Sequence, residues 1–349
     1  MNSFGRVLRL TTFGESHGPA VGGILDGCPA LLPLSEADVQ PELDLRRPGG
    51  AGTVSARQEK DRIRFVSGLF EGRTTGAPVA FIIANEDQHS GDYEQLRDVF
   101  RPGHGDFSWQ AKYGIRDHRG GGRVSGRETV CRVAGGAVAL KILRHVGVEI
   151  FAFTREIAGL TSTGTDWFRA GERALFAPED AIIPFWEKEL AHVKECGDSV
   201  GGIVEIVATS VPAGLGEPVF DKLDARLAAA LMSVGAVKGV EVGAGFASAR
   251  MRGSQHNDQL GTEGFLSNHS GGILADISNG QNIVLRAAVK PIPSIAVCQQ
   301  TVTCRGERVA LEIKGRHDVC AIPRIVPVLK AMAALALADM LLLQQPFSI

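Results

Sequence analysis

Strand-like and helical segments follow one another in an irregular order along this chain, and that order restricts the folds it can adopt. Apolar runs with strand character occupy residues 20–25, 79–84, 202–208, 283–289 and 309–313. Helical signals cover residues 35–46, 129–145, 221–233 and 323–343, the first opening with a capping box at Ser35 and Asp38. Because these segments do not alternate as regular βαβ units, the sequence predicts an α+β fold of packed layers.

The bulk composition indicates a globular protein with a large core. The chain has 349 residues, of which 44% are hydrophobic and 22% are charged. Such a length can form one large domain or two closely packed ones, and because no linker stands out we expect a single domain over residues 1–349. A net charge of −2 and an aromatic content of 6% argue against nucleic acid as a partner.

Cysteine spacing and hydropathy predict a cytoplasmic protein. The 6 cysteines show no CxxC pair and no zinc-like spacing, so we expect reduced thiols and no metal site. The first residues lack the apolar core of a signal peptide. Residues 326–343 are apolar enough to raise the question of a membrane span, but Pro327, Lys330 and Asp339 interrupt them. We therefore expect a buried helix and no membrane contact.

Residues 101–132 combine many cations with glycines and with His104. Arginine binds phosphate and carboxylate oxygens through a planar fork, and glycine lets backbone N–H groups approach a ligand closely. A histidine in such a setting can transfer protons near neutral pH. The segment predicts acid–base chemistry on a small anion, although a solvated basic loop explains it equally well. Its cations are Arg101, Lys112, Arg116, Arg119, Arg123, Arg127 and Arg132.

Other glycine-rich polar loops add candidate residues. His17 follows a predicted strand in the sequence TTFGESHG, between small residues that are unusual around a core histidine. Arg46 and Arg47 precede Pro-Gly-Gly, where the dipole of a helix C-terminus explains two cations equally well. Asp318 follows Lys-Gly-Arg-His and either takes part in catalysis or caps the last helix. Further polar loops cover residues 267–272, 277–280 and 290–294.

Eight motifs, in order along the chain, resemble those of the chorismate synthase family. The match extends through nearly the whole chain, and motifs of this length rarely coincide by chance. By this resemblance the chain is identified as a member of that family. The motifs are GESHG (14–18), RRPG (46–49), RPGH (101–104), KYGIRDHRGGGR (112–123), PAGLGEPVFDKLDA (212–225), AVKGVE (236–241), SNHSGGI (267–273) and GRHD (315–318).

The resemblance implies a β-α-β sandwich that assembles as a homotetramer with one site per subunit. The implied reaction is the anti-1,4-elimination of phosphate and a C6 hydrogen from 5-enolpyruvylshikimate 3-phosphate. Its product is chorismate, in the shikimate pathway of aromatic amino acid biosynthesis. Reduced FMN is the implied cofactor, although the reaction is redox-neutral overall. Because the sequence shows no sign of an attached reductase domain, a separate flavin reductase is the implied partner.

The resemblance also implies roles for individual residues. His17 is expected to protonate the leaving phosphate, His104 to neutralise the reduced flavin, and Asp318 to assist removal of the C6 proton. The substrate's phosphate and carboxylates are expected to bind Arg46, Arg101, Arg127 and Arg316. The residues expected to hold FMN are Arg123, Val124, Ser125, Gly235, Ala236, Ala275, Lys290, Ser294 and Arg316.

The chain departs from the family pattern mainly where FMN and phosphate are expected to bind. Each hydrogen bond to a charged group contributes roughly 1.5–3 kcal/mol, so losing several donors predicts weaker FMN binding. A second expected arginine is replaced by Gly52 and an expected glutamate by Lys330. The other departures are Val124, Gly235, Ala275, Asp276, Ile292 and Pro293.

Three functions are compatible with this sequence. The first and preferred one is chorismate synthase. The second is a paralogue that eliminates phosphate from a related cyclohexene phosphate, with weak use of FMN or none. The third is an inactive homologue that serves as an assembly partner, and the retention of His17, His104 and Arg101 argues against it.

Overall fold

Two antiparallel sheets of five strands each form the framework of the protein. The computed structural model describes residues 1–47, 59–86, 93, 96–313 and 318–344. Its strands are β1 (Ser3–Phe4), β2 (Arg9–Phe13), β3 (Ala20–Asp26), β4 (Ile63–Ser67), β5 (Leu69–Phe70), β6 (Arg73–Thr74), β7 (Val79–Ala84), β8 (Glu149–Ile157), β9 (Leu160–Thr161), β10 (Gly202–Thr209), β11 (Val237–Val242), β12 (Leu260–Gly261), β13 (Gly264–Phe265), β14 (Ile273–Leu274), β15 (Ile277–Ser278), β16 (Ile283–Val289), β17 (Gln299–Val302) and β18 (Arg308–Leu311). The first sheet has the order β1-β2-β3-β7-β4 and the second β11-β16-β10-β8-β9, and the remaining strands form two-stranded hairpins.

Two of the described helices, α3 (Thr129–Arg144) and α7 (Ile322–Leu343), lie between the two sheets. The helices are α1 (Glu36–Arg46), α2 (Asp106–Tyr113), α3 (Thr129–Arg144), α4 (Ile183–Glu195), α5 (Leu223–Met232), α6 (Gly253–His256) and α7 (Ile322–Leu343). Helix α3 contacts β2 and β3 of the first sheet, while α7 contacts β8 and β10 of the second, and the two helices contact each other. This layering confirms the predicted α+β sandwich. One hydrophobic core includes residues of both sheets, although the extent of a single domain over residues 1–349 stays a prediction.

Most predicted elements are found within one or two residues of their expected bounds. The capping box of α1 is present, with Asp38 Oδ2 accepting a hydrogen bond from the backbone N–H of Ser35 at 2.8 Å. The strands predicted at residues 79–84 and 283–289 are β7 and β16 without change. Strand β8 was missed, because Thr154, Arg155 and Glu156 interrupt its apolar alternation.

The two central helices pack closely enough to require a glycine. A Cβ atom on Gly136 of α3 would lie 2.3 Å from the Cβ of Ala331 in α7. Most residues of α7 are buried in this packing. Helix α7 is the apolar segment that is long enough to cross a membrane, but 78% of its most apolar window is buried inside the protein. The apolar side chains of α7 therefore form part of the hydrophobic core.

A buried carboxylate on α7 holds the turn between β1 and β2 of the first sheet. Asp339 is fully buried, and its Oδ1 accepts hydrogen bonds from the backbone N–H groups of Val7 (2.8 Å) and Leu8 (2.9 Å). Arg226 of α5 donates to Oδ2 at 3.2 Å. These bonds explain how the core tolerates a charge here, because each lone pair finds a donor. They also fix the start of β2, which leads directly to His17.

Candidate functional site

The turn between β2 and β3 places His17 at the edge of the first sheet. Asn85 follows β7 and donates hydrogen bonds to the carbonyl oxygens of Glu15 (3.1 Å) and Gly18 (2.7 Å). The turn is therefore held on both sides of the histidine. The side chain of His17 is buried, and its Nδ1 lies 3.1 Å from Oγ of Ser16.

Two adjacent glycines bring His17 and His104 together. A Cβ atom on Gly120 would lie 2.3 Å from Cε1 of His17, and one on Gly121 would lie 3.1 Å from Cε1 of His104. Both glycines have a positive φ, of 62° and 85° respectively. The two imidazole rings thus pack against successive residues of one backbone segment, which leaves room for them only because it has no side chains.

A buried carboxylate at the start of α2 gathers two arginines and a histidine. Asp106 accepts hydrogen bonds from Arg101, with Nε 2.7 Å from Oδ2 and Nη2 2.9 Å from Oδ1. Nδ1 of His104 lies 3.0 Å from Oδ1, and Nη1 of Arg116 lies 3.3 Å from it. Burial alone raises the pKa of Asp106, but hydrogen bonds from Arg101 and His104 outweigh burial and hold that pKa well below its usual range. The Asp106 cluster therefore contains an ionised carboxylate and a surplus of positive charge.

A second buried carboxylate, that of Asp61, pairs with two more of the predicted substrate-binding arginines. Arg46 Nη1 donates to Oδ2 at 3.1 Å, and Arg127 Nη1 donates to Oδ1. Burial lowers the pKa of Arg46 to about 10. Glu59 lies 3.7 Å from Arg127, so the charges of this Asp61 cluster balance. Arg127 Nε also donates to Asn85 Oδ1 at 2.8 Å, which connects the cluster to the turn of His17.

A cavity of about 1090 Å³ opens beside the turn of His17 and the Asp106 cluster. Its wall contains more arginines than carboxylates, and Trp109 and Tyr113 provide an aromatic surface. Such a lining suits an anionic ligand with a flat ring. The charged residues of the wall are Arg97, Arg116, Arg119, Arg123, Glu15, Asp106 and Asp117.

Three consecutive residues expected to hold the cofactor lie at or beside this cavity. Arg123 lines it and donates to the side-chain oxygen of Thr12 at 2.7 Å. Val124 also lines it. A Cβ atom on Gly105 would lie 2.7 Å from Cγ1 of Val124, so this methyl group packs against the backbone of Gly105. Ser125 Oγ accepts a hydrogen bond from the backbone N–H of the second residue after it, at 3.3 Å, and so caps a short 3₁₀ turn.

Lys290 joins a second group of expected cofactor residues to the loop of His104. Its Nζ donates to the carbonyl oxygen of Gly103 at 2.7 Å, and its backbone N–H donates to the carbonyl oxygen of Ala236 at 2.9 Å. Burial and the nearby charge of Lys238 lower the pKa of Lys290. Gly235 is exposed, and a Cβ atom there would meet nothing within 4 Å.

Ala275 and Ser294 are placed less directly. Ala275 is exposed in the turn between β14 and β15 and has a φ of 45°. The neighbouring Asp276 has a φ of 77°, and its carboxylate lies 3.9 Å from Nζ of Lys222 at the start of α5. Ser294 is half-buried, four residues after Lys290. The described lining of the cavity includes neither Ala275 nor Ser294.

The helix-capping interpretation of Asp318 is wrong. Helix α7 has Ala321 as its N-cap, three residues later, and Asp318 instead accepts a hydrogen bond from Arg324 at 2.7 Å. An ion pair with the first turn of the helix thus replaces a cap. Arg316 lies outside the described residues, as does Gly52.

Sequence reasoning missed three residues that organise the site, namely Asp61, Asp106 and Asn85. Only Asp106 carried a signal, because it lies five residues after Arg101 in the cationic segment. Asp61 and Asn85 meet Arg127 across 66 and 42 residues of chain. Contacts of that kind depend on how the sheet and α3 pack.

Comparison with known proteins identifies the family of this chain. The model of the chorismate synthase family matches residues 8–342. The chain is 60% identical to chorismate synthase of Nitratidesulfovibrio vulgaris strain Hildenborough over 344 residues, covering 99% of this chain and 97% of that protein. It is 59% identical to the enzyme of Oleidesulfovibrio alaskensis, with the same coverage. A crystal structure of chorismate synthase superposes with a TM-score of 0.78 at 34% identity, covering 98% of this chain and 94% of that one. On sequence and on fold, this chain belongs to the chorismate synthase family.

Proposed function

We propose that this protein is a chorismate synthase, a carbon–oxygen lyase that eliminates phosphate from 5-enolpyruvylshikimate 3-phosphate to give chorismate. The observation that carries the proposal is the meeting of His17 and His104 at Gly120 and Gly121, beside a cavity rich in arginine. An elimination of phosphate needs a proton donor close to fixed cations, and this arrangement supplies both. Membership of the family supports the same reaction.

The arginines are proposed to bind the anionic groups of the substrate. Asp106 holds the guanidinium groups of Arg101 and Arg116 in place. Because two arginines share one carboxylate, the cluster has a surplus of positive charge. Arg46 and Arg127 are already balanced by Asp61 and Glu59, so they contribute directed N–H donors more than net charge. Arg316 is proposed to complete the set, on the family resemblance alone.

Roles in proton transfer and charge balance are proposed for His17, His104 and Asp318. His17 is proposed to hold a proton for the departing phosphate, because its ring is buried between the turn of residues 14–18 and the glycine segment. His104 is proposed to balance negative charge on the cofactor. Asp318 is proposed to assist removal of the C6 proton, with Arg324 keeping its carboxylate in position.

The residues present fit reduced FMN, which is proposed as the cofactor. The cavity exceeds the roughly 300–1,000 Å³ of a typical ligand pocket, and it combines arginines with aromatic rings. When bound, reduced FMN would supply electron density for the elimination of phosphate and the C6 hydrogen. Arg123 and Ser125 on one side and Lys290 and Ser294 on the other are proposed to hold it, with the backbones of Val124, Gly235, Ala236 and Ala275.

The proposal is tested by supplying the purified protein with 5-enolpyruvylshikimate 3-phosphate and chemically reduced FMN without oxygen. We expect stoichiometric release of phosphate and chorismate, and neither product with oxidised FMN. Shikimate 3-phosphate, which lacks the enolpyruvyl group, is the control substrate. Release of phosphate from another cyclohexene phosphate but not from this one would identify a paralogue, and no turnover of any of them would identify an inactive homologue.

Replacing Gly120 with alanine is expected to lower kcat about 10-fold or more, because the new methyl group would occupy the space of the His17 ring. The φ of 62° adds backbone strain to this clash. Gly126 is the matched control, since a Cβ atom there meets nothing within 4 Å. Steady-state kinetics of the two variants test the expectation, and equal turnover in both would contradict it.

Reduced FMN is expected to bind more weakly here than the family pattern predicts. Restoring that pattern with Val124→Ser, Ala275→Gly, Asp276→Gly, Ile292→Thr and Pro293→Ser should tighten binding about 10-fold or more, since one recovered hydrogen bond to a charged group contributes at least roughly 1.5 kcal/mol. Anaerobic fluorescence titration measures the change in Kd.

Two partial variants divide this effect. The changes at Val124, Ile292 and Pro293 should give most of the gain, because Val124 lines the cavity and Pro293 lies against Gly103 beside His104. The changes at Ala275 and Asp276 should give less, because Lys222 already offsets the charge of Asp276. If the unchanged protein binds reduced FMN at micromolar concentration or below, the expectation of weak binding is wrong.

Three further features of the family resemblance belong to this proposal. We propose a homotetramer, which would cover exposed apolar side chains such as Phe220 (97% exposed) and Phe246 (75% exposed). We propose that the enzyme works in the cytoplasm, where its exposed Cys196, Cys298 and Cys304 stay reduced. A separate flavin reductase is proposed to supply reduced FMN. Analytical ultracentrifugation tests the first of these.

A further inference from the structure

The carboxylate of Asp106 and the ring of His104 form a buried pair whose geometry has consequences for the histidine. Asp106 is 3% exposed, and its Oδ1 lies 3.0 Å from Nδ1 of His104. The adjoining edge of the ring, with Cε1 and Nε2, faces Gly121 in the wall of the cavity. The ring is therefore held between Asp106 and Gly121, two residues that both line the cavity.

We propose that Asp106 is a positioning residue that keeps a proton on Nδ1 of His104, so that Nε2, which faces Gly121, is the nitrogen that takes up the second proton when the ring balances charge on the cofactor. An ionised carboxylate accepts hydrogen bonds and donates none, so the ring nitrogen beside it carries the hydrogen. This inference rests on the proposed function, because it assigns a purpose to the orientation of His104. It adds a residue that sequence reasoning left out.

Asp106 is itself held so firmly that the histidine adapts to the carboxylate. Arg101 donates to Asp106 from its backbone N–H (3.1 Å), from Nε (2.7 Å) and from Nη2 (2.9 Å). Arg116 approaches the same carboxylate, and its Nη2 is bound to the carbonyl oxygens of Leu96 (2.8 Å) and Val99 (3.1 Å). Partners fixed on both sides in this way orient a histidine in the same manner as carboxylate–histidine pairs in other enzymes.

A double-mutant cycle tests whether Asp106 acts through His104. We expect Asp106→Asn to lower kcat about 10-fold or more. In the double variant with His104→Ala, kcat should lie within about threefold of His104→Ala alone, because the aspartate then has no ring to orient. If the two kcat effects multiply, the proposal is overturned. If Asp106→Asn also raises KM in both backgrounds, the rise reflects the loss of the partner of Arg101. It is evaluated separately from the change in kcat.

The control for a general loss of structure is Glu205→Gln. Glu205 forms a two-point ion pair with Arg155 in the second sheet, with distances of 3.1 Å and 3.0 Å, away from the cavity lining. Its kcat should equal that of the wild type. A fall in kcat of the same size as in Asp106→Asn would show that losing any such pair is enough, and would overturn the proposal.

A measurement on the unchanged protein reports the tautomer directly and needs a variant only to assign the signal. The side-chain ¹⁵N shifts of the protein labelled at histidine, with the His104 signal assigned by its loss in His104→Gln, distinguish the two neutral tautomers. We expect the proton on Nδ1, and a proton on Nε2 would overturn the proposal. Because no substrate is present, this result stands even if the protein fails to release phosphate, an outcome that would count against the proposed function alone.

Discussion

Replacing His17 or His104 with alanine is expected to lower kcat by about 10² or more, the usual scale of an acid–base contribution. The His17 ring packs against Gly120 and the His104 ring against Gly121, which lines the cavity. The loss should appear mainly in kcat, because each histidine is proposed to act while phosphate leaves. Anaerobic assays of phosphate release with saturating reduced FMN measure it.

A histidine outside the site provides the control. His192 is exposed on α4, next to Cys196, and its replacement with alanine should leave kcat unchanged. The assignment of either site histidine would be wrong if its alanine variant turned over at the wild-type rate. A rise in KM with kcat unchanged would instead indicate a role in binding.

Replacing Asp61 with asparagine is expected to lower the free energy of unfolding by about 3–5 kcal/mol, the cost of removing one partner from a buried ion pair. Arg46 and Arg127 are 2% and 4% exposed, and both donate to this carboxylate. Without its charge, two guanidinium groups stay buried against an amide that cannot balance them. Urea denaturation followed by circular dichroism measures the change.

The matched control lies on the same helix as Arg46. Asp44 pairs with Arg47 at 3.2 Å, with side chains 51% and 40% exposed. Exposed pairs contribute about 0–1 kcal/mol, so Asp44→Asn should change stability little. A loss below about 1 kcal/mol in Asp61→Asn would show that water or Glu59 compensates the two arginines, and that the Asp61 cluster does not stabilise the fold.

The buried carboxylates of Asp61 and Asp106 show where prediction from sequence reached its limit. The cationic segment was read as a ligand site because arginine and glycine are frequent there. In the structure, three of its arginines form ion pairs with Asp61 or Asp106, so their positive charges are partly neutralised inside the protein. They are Arg101, Arg116 and Arg127. Charge alone did not reveal this, because the partners of Arg127 lie 42 and 66 residues away.

Local patterns determined the elements of the fold. The capping box at Ser35 predicted the start of α1, and apolar runs predicted β7 and β16 with their bounds. These features depend on neighbours within one or two turns, so a linear pattern is enough to recognise them. The order of the elements then predicted the α+β layers, and the family motifs predicted His17 and His104.

Tertiary packing alone decided how those elements make a site. Gly120 and Gly121 could be read as a flexible turn, but only the fold shows that two histidines from loops 87 residues apart pack against them. Likewise, Asp106 could be read as a helix start, and only its burial makes it the common partner of Arg101, His104 and Arg116. The physical reason is that a buried charge must be paired wherever the chain brings a partner, and sequence distance places no limit on that choice.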